Sequence, residues 1–193
     1  MEYYREIQLK DGRTCCLRNG TEQDGAAVLA YFNQTHGETD FLLTYPDENS
    51  FDAAQEAAFL REKAKSEDEI EIVAVVDGVI AGSAGIEAIG RKFKVQHRAD
   101  FGISILREYW GLGIGQALLQ ASIECAENAG YAQLELTVVA DNVRALTMYR
   151  KAGFVELGRN PKGFRSRVSG YQEVITMGLA LPRPGTADNQ ESR

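Results

Sequence analysis

Phe101-Gly102-Ile103-Ser104-Ile105-Leu106-Arg107-Glu108-Tyr109-Trp110-Gly111-Leu112-Gly113-Ile114-Gly115-Gln116-Ala117-Leu118-Leu119-Gln120 reads as a strand, a glycine loop and the first turns of a helix. Glycines at 111, 113 and 115 let the backbone turn tightly before the helix starts. The unbonded N–H groups of that first turn, with the positive end of the helix dipole, make an anion pocket suited to a phosphate. Two familiar phosphate signatures fail. A dinucleotide-binding loop needs glycines at offsets 0, 2 and 5, and Gln116 or Leu118 stands in the third place. A P-loop needs Gly-Lys-Ser/Thr, which is absent. On the loop alone, a tight turn that binds nothing stays open.

Working outward, small apolar residues recur at helical spacing (Ala117, Ala121, Cys125, Ala129) until Gly130 ends the helix. Residues 134–139 read as a strand. Asp141 or Asn142 then caps a helix carrying Ala145, Met148, Tyr149 and Ala152 on one side, and Gly153 stops it. Residues 154–157 and 171–179 close the fold as strands around a basic loop with Arg159, Lys162, Arg165 and Arg167. Upstream, 70–76 and 79–89 are apolar runs joined by Asp77-Gly78, a hairpin dipeptide, and a further strand runs from about 97 to 106. Residues 5–9 and 14–18 read as short strands. Thr21 and Asp24 have capping-box spacing before a helix with Ala27, Val28, Tyr31 and Phe32, and residues 49–52 start a second helix to about 65. The order predicts a single mixed α/β domain of the α+β type over residues 1–180, with 181–193 as a disordered tail.

The chain has 193 residues, 28 acidic against 21 basic side chains, and a net charge of −7. A globule of this length builds its own core without disulfides or metal. Excess negative charge argues against a nucleic-acid partner, and no apolar run approaches the ~18 residues of a membrane span. The start, Met1-Glu2-Tyr3-Tyr4-Arg5, is no secretory signal. Three cysteines, Cys15, Cys16 and Cys125, fit neither a disulfide framework nor a metal site. A cytoplasmic protein without metal is expected.

A second stretch decides among the phosphate readings. After the strand at 134–139 come Asn142, Ala145, Tyr149, Gly153 and Phe154, in the pattern Asn-x-x-Ala-x-x-x-Tyr-x-x-x-Gly-Phe, some 25 residues after the Gly113-Ile114-Gly115 loop. This resembles the GNAT superfamily of acyl-CoA-dependent N-acetyltransferases, nearest in motif style to the ribosomal-protein-acetyltransferase-like subgroup. The resemblance covers roughly 70–180. Trp110 stands where the family usually has Gln or Arg.

The resemblance implies a mostly antiparallel central sheet with splayed middle strands, flanked by helices. It also implies acetyl-CoA as cosubstrate: pantetheine against the main chain near Ile103 and Ile105, pyrophosphate on the N–H groups of Leu112, Gly113, Ile114, Gly115, Gln116 and Ala117. Asn142 would bond the pantetheine arm, its helix-capping role passing to Asp141. A small-molecule or peptide amine would attack the thioester directly. Tyr149 stands where the family keeps its general acid, and Asp100 aligns with the subgroup's acidic residue. His97, Glu87 or a water chain remain alternatives for the base. A homodimer is compatible. The rival readings are a catalytically silent acyl-CoA-binding module and a nucleotide-dependent oxidoreductase.

Overall fold

The computed structural model describes residues 1–182. Eight strands form one sheet in the order β1-β2-β3-β4-β5-β6-β8-β7. They are β1 Tyr4–Gln8, β2 Thr14–Asn19, β3 Ile70–Val76, β4 Val79–Ala88, β5 Arg98–Ile105, β6 Gln133–Val139, β7 Val155–Ser166 and β8 Gly170–Ala180. The helices are α1 Gly25–Glu38, α2 Ala53–Lys65, α3 Ile114–Asn128 and α4 Val143–Lys151. Every neighbouring pair is antiparallel except β5 and β6.

Local chemistry sets most of these boundaries. Asp77 (φ 50°) and Gly78 (φ 81°) make the left-handed pair that a two-residue hairpin needs between β3 and β4. Asp52 caps α2 by accepting from the N–H groups of Ala54 and Gln55. Arg18 bonds Asp24 through both terminal nitrogens, at 2.7 and 2.8 Å, and Asp24 in turn accepts from Thr21. That triad fixes the turn leading into α1.

Strand alternation gives the sheet two working faces. Ser83, Gly85 and Glu87 of β4 stand opposite Ser104, Gly102 and Asp100 of β5. This face packs under α1 and α2: Tyr31 reaches Ser104 at 2.6 Å and Lys63 reaches Glu87 at 2.7 Å. Phe101, Ile103 and Ile105 point to the other face, toward α3 and α4, where Phe101 meets Tyr149 edge-on with ring centroids 6.2 Å apart. Leu118, Leu134, Leu136 and Ile86 are fully buried there and between the layers.

The feature that positions the site is the junction of β5 and β6. Their parallel pairing covers only Arg98↔Gln133, Ala99↔Leu134 and Asp100↔Glu135. Beyond it the strands separate, so β5 from 101 to 105 and β6 from 136 to 139 leave main-chain groups facing an open wedge. The fold is the splayed, mostly antiparallel sheet that the resemblance implied.

Two expectations change. The basic segment expected as a loop is most of β7, which runs to Ser166 and pairs with β8 in a long hairpin. The expected tail is only partly in view: Leu181 is buried and its N–H donates to Ala132 O at 2.9 Å, while residues 183–193 lie outside the described residues.

Candidate active site

A cleft of about 780 Å³ follows the wedge from the glycine loop to the connection after α1. Its volume lies in the range of pockets that hold a small ligand or cofactor. At one end Gly111 (φ 84°) and Gly113 (φ 107°) adopt conformations that L side chains rarely take. A Cβ on either would meet no protein atom within 4 Å, so the space above them is open. Among the described residues the N–H groups of 111–116 have no main-chain or side-chain acceptor; the first committed one is Ala117, which donates to Gly113 O at 3.2 Å. Six consecutive donors at a helix N-terminus, with no acidic residue in the first turn, form a nest able to receive an anion. Of the N–H groups expected to meet the phosphates, those of Leu112 to Gln116 are unengaged among the described residues, as is that of Gly111, while that of Ala117 is taken. Ile114 offers only its main chain, since its side chain is buried.

Ile103 and Ser104 line the middle of the cleft together with Ile105. The Ile105 carbonyl is already taken, accepting from the Trp110 indole at 2.8 Å. Trp110 also has the guanidinium groups of Arg107 and Arg144 over its ring at 5.7 and 5.3 Å. The aromatic ring in place of the usual Gln or Arg thus props the loop and gathers two cations at the cleft mouth, where Lys10 and Lys151 also lie.

Asn142 is the cap of α4: its Oδ1 accepts from Ala145 N–H at 3.2 Å. The expectation that Asp141 takes over capping is not met. The Asn142 side chain still faces the cleft and keeps its amide N–H₂ for a ligand.

Tyr149 on α4 is 6% exposed, held between Phe101 and Phe154. Its ring is packed on both sides, yet it lines the cleft, and its hydroxyl has no hydrogen-bond partner among the described residues. Burial pushes the phenol well above its ordinary pKa, so it carries its proton at every working pH.

The base candidates lie elsewhere. Asp100 is exposed on the α1–α2 face at the narrow end of the wedge and does not line the cleft. Desolvation, with Glu135 and Glu87 on the flanking strands, pushes its carboxyl up to about 6. Glu87 is bound by Lys63 at 2.7 Å, and Glu135 by Arg98 at 2.7 Å. His97 is exposed in the turn before β5, its carbonyl accepting from Ala132 and Gln133. Neither Glu87 nor His97 reaches the cleft.

The roof over the α1–α2 face is held by Asp40. Its Oδ2 accepts from Ser166 at 2.6 Å, Ser169 at 3.1 Å and Gln172 at 3.2 Å, and its Oδ1 from Tyr45 at 3.0 Å. Arg167 adds bonds to Asp47 and Glu48 and stacks on Tyr45 at 4.2 Å. These contacts strap the β7–β8 tip to the segment after α1, and they account for Arg167 of the basic stretch; Arg159 is paired with Glu156 and Glu173. Nothing in local spacing reveals this strap, because it joins segments 119 or more positions apart. The donors around Asp40 hold its carboxyl below the ordinary range. The strap is thus intact above the unfolded-state pKa of about 4 and weakens as pH falls through the depressed folded value. Asp40→Ala is expected to cost about 1 kcal/mol or more, lowering Tm by roughly 2–4 °C in a scan at pH 7. The gap from wild type should shrink at acid pH; an unchanged Tm at pH 7 would mean the strap carries no stability.

The sequence pattern of the Acetyltransferase (GNAT) family matches residues 26–154. The chain is 33% identical over 108 residues to L-amino acid N-acetyltransferase AaaT of Escherichia coli (strain K12), covering 55% of this chain and 65% of that protein. It is 35% identical over 109 residues to N-alpha-acetyltransferase RimI of Mycobacterium tuberculosis, covering 56% and 66%. The matched stretch thus spans about two thirds of these curated relatives. The crystal structure of an acetyltransferase of the GNAT family from Streptococcus pneumoniae superimposes with a TM-score of 0.82 at 31% identity, covering 87% of this chain and 99% of that one.

Proposed function

The chain belongs to the GNAT acetyltransferase family, and from that premise we propose that it transfers the acetyl group of acetyl-CoA to a primary amine. The observation that carries the reading is the pairing, along one cleft, of six free N–H groups with the unengaged hydroxyl of Tyr149. The cradle suits a pyrophosphate, and the wedge between β5 and β6 offers main-chain donors and acceptors to an extended pantetheine arm, with the Asn142 amide as a further donor. Arg144, Lys10 and Lys151 add positive charge at the mouth.

The chemistry divides across the sheet. On the α3–α4 face Tyr149 serves the leaving group; on the α1–α2 face the acceptor amine approaches. An amine of pKa ~10 arrives protonated and must lose a proton before it attacks. Asp100 stands on that face, where its charge draws the ammonium. The free amine then forms the C–N bond, and main-chain N–H groups of the splayed β5 receive the tetrahedral oxyanion. As the C–S bond breaks, sulfur leaves with the Tyr149 proton, and the proton lost by nitrogen in becoming an amide restores the phenol. Acetyl-CoA supplies only the activated acyl group.

The relatives' names point to α-amino groups, free in amino acids or at polypeptide N-termini. Incubation with acetyl-CoA and a panel of amino acids, N-terminal peptides and polyamines, read by thiol release and by acetyl mass gain on the acceptor, tests the proposal. Acetylation of at least one amine is expected. Binding of acetyl-CoA with no transfer to any of them would instead favour an acyl-CoA-binding module, and would end the transferase reading.

A further inference from the structure

Glu71 is a charged side chain set into the α1–α2 face of the sheet. It projects from β3 opposite Gly85, and Gly85 stands opposite Gly102 of β5. The carboxyl lies across Gly85: a Cβ there would collide with Glu71 Oε2. It ends against Ser83, whose hydroxyl donates to Oε1. Ser83 in turn stands opposite the cleft-lining Ser104, which is bonded to Tyr31 at 2.6 Å. The Glu71 carboxyl therefore lies about one strand spacing, ~4.8 Å, from the β5 segment where the wedge is open. Asp100 is two residues further back, at the last paired position.

Above Gly102 the surface is open: the residue is exposed, and a Cβ there would meet no atom within 4 Å. Asp100 and Ser104 flank this position along β5, and the Glu71 carboxyl lies beside it over Gly85 of β4. No arginine or lysine bonds Glu71 or Asp100 among the described residues, whereas Glu87 and Glu135 are each neutralised. The open space over Gly102 thus lies between two carboxyl groups that no arginine or lysine bonds, which matches an ammonium.

We propose that the open space over Gly102 seats the acceptor ammonium and that Glu71 takes the proton it must lose. The inference rests on the transferase reading. One N–H bond of the ammonium breaks and its proton forms an O–H bond on Glu71, leaving the nitrogen lone pair free for the thioester carbon; the carboxyl afterwards releases the proton to solvent. Burial raises the Glu71 carboxyl to about 7, opposed by the Ser83 hydroxyl and Lys63 and assisted by Glu87 and Glu56. Tyr31, the other titratable group facing it, is pushed up by burial and stays protonated. A carboxylate near neutrality is a stronger base than an ordinary one and is still ionised at working pH.

The test is the pH dependence of kcat/KM, with acetyl-CoA and an amine that the wild type accepts, for the wild type, Glu71→Gln, Asp100→Asn and Gly102→Ala. Glu71→Gln retains an acceptor for Ser83. It is expected to lose about 100-fold in turnover, to lose the acid limb near pH 7, and to bind acetyl-CoA as the wild type does. Its Tm should rise relative to wild type more at pH 8 than at pH 5, because a raised carboxylate pKa makes the ionised form destabilising as pH climbs. Asp100→Asn should be slower and keep the limb. Gly102→Ala has room for its methyl group and should fold and bind acetyl-CoA normally, yet lose at least tenfold in kcat/KM for the amine. An intact limb in Glu71→Gln, a limb lost in Asp100→Asn, or full amine turnover in Gly102→Ala would overturn the assignment. Absence of transfer by the wild type would instead sink the transferase reading on which it rests.

Discussion

Gly113→Val is expected to abolish acetyl-CoA binding, with a loss of at least a hundredfold in affinity, about 2.7 kcal/mol or more. Two effects act together. Gly113 has φ 107°, and a β-branched residue held there carries strain of roughly 1–3 kcal/mol. The added side chain also enters open space rather than protein, since nothing lies within 4 Å of the Cβ position. The N–H groups of 111–116 around it have no acceptor among the described residues. Most of the damage therefore falls on the ligand. Calorimetric titration of the variant, with thermal unfolding to confirm a folded chain, checks this. A folded variant with wild-type affinity would place the phosphates somewhere other than this loop.

Tyr149→Phe is expected to lower turnover at least tenfold, about 1.4 kcal/mol of transition-state stabilisation, and toward the hundredfold loss typical of a missing general acid. The phenyl ring keeps its packing against Phe101 and Phe154, so stability and acetyl-CoA affinity should stay close to wild type. The hydroxyl bonds nothing else among the described residues, so its removal leaves no orphaned partner. Single-turnover measurement of thiol release at saturating acetyl-CoA separates the chemical step from binding. A turnover equal to wild type would remove Tyr149 as the proton donor to sulfur.

What the sequence made legible was local. The Gly113-Ile114-Gly115 loop, the Asp77-Gly78 hairpin, the capping-box pair Thr21 and Asp24, the helix start near 49–52 and the Asn142-to-Phe154 spacing each set a structure within a few residues, and each reappears in the fold. The extent of β7 was hidden because Asn160-Pro161-Lys162-Gly163 reads as a turn. In the structure it is an irregularity in an edge strand, with the register shifting between Asn160 and Phe164, a position where proline is tolerated. Cross-strand chemistry was also out of reach. Asp40 meets Ser166, and Glu71 meets Ser83 across Gly85, only because strand order and register bring them together. The surroundings of Asp100 were hidden for the same reason: only the pairing of β5 with β6 shows that it sits where the wedge has not yet opened.

The claim on which everything else depends is that the glycine cradle and the wedge form an acyl-CoA site. Calorimetric titration of the protein with acetyl-CoA, with NADH as the control, tests it most directly. Saturable binding of acetyl-CoA at one site per chain, with no heat from NADH, is the predicted result. No binding at millimolar acetyl-CoA would contradict the account, leaving the loop as a turn and the cleft without its ligand.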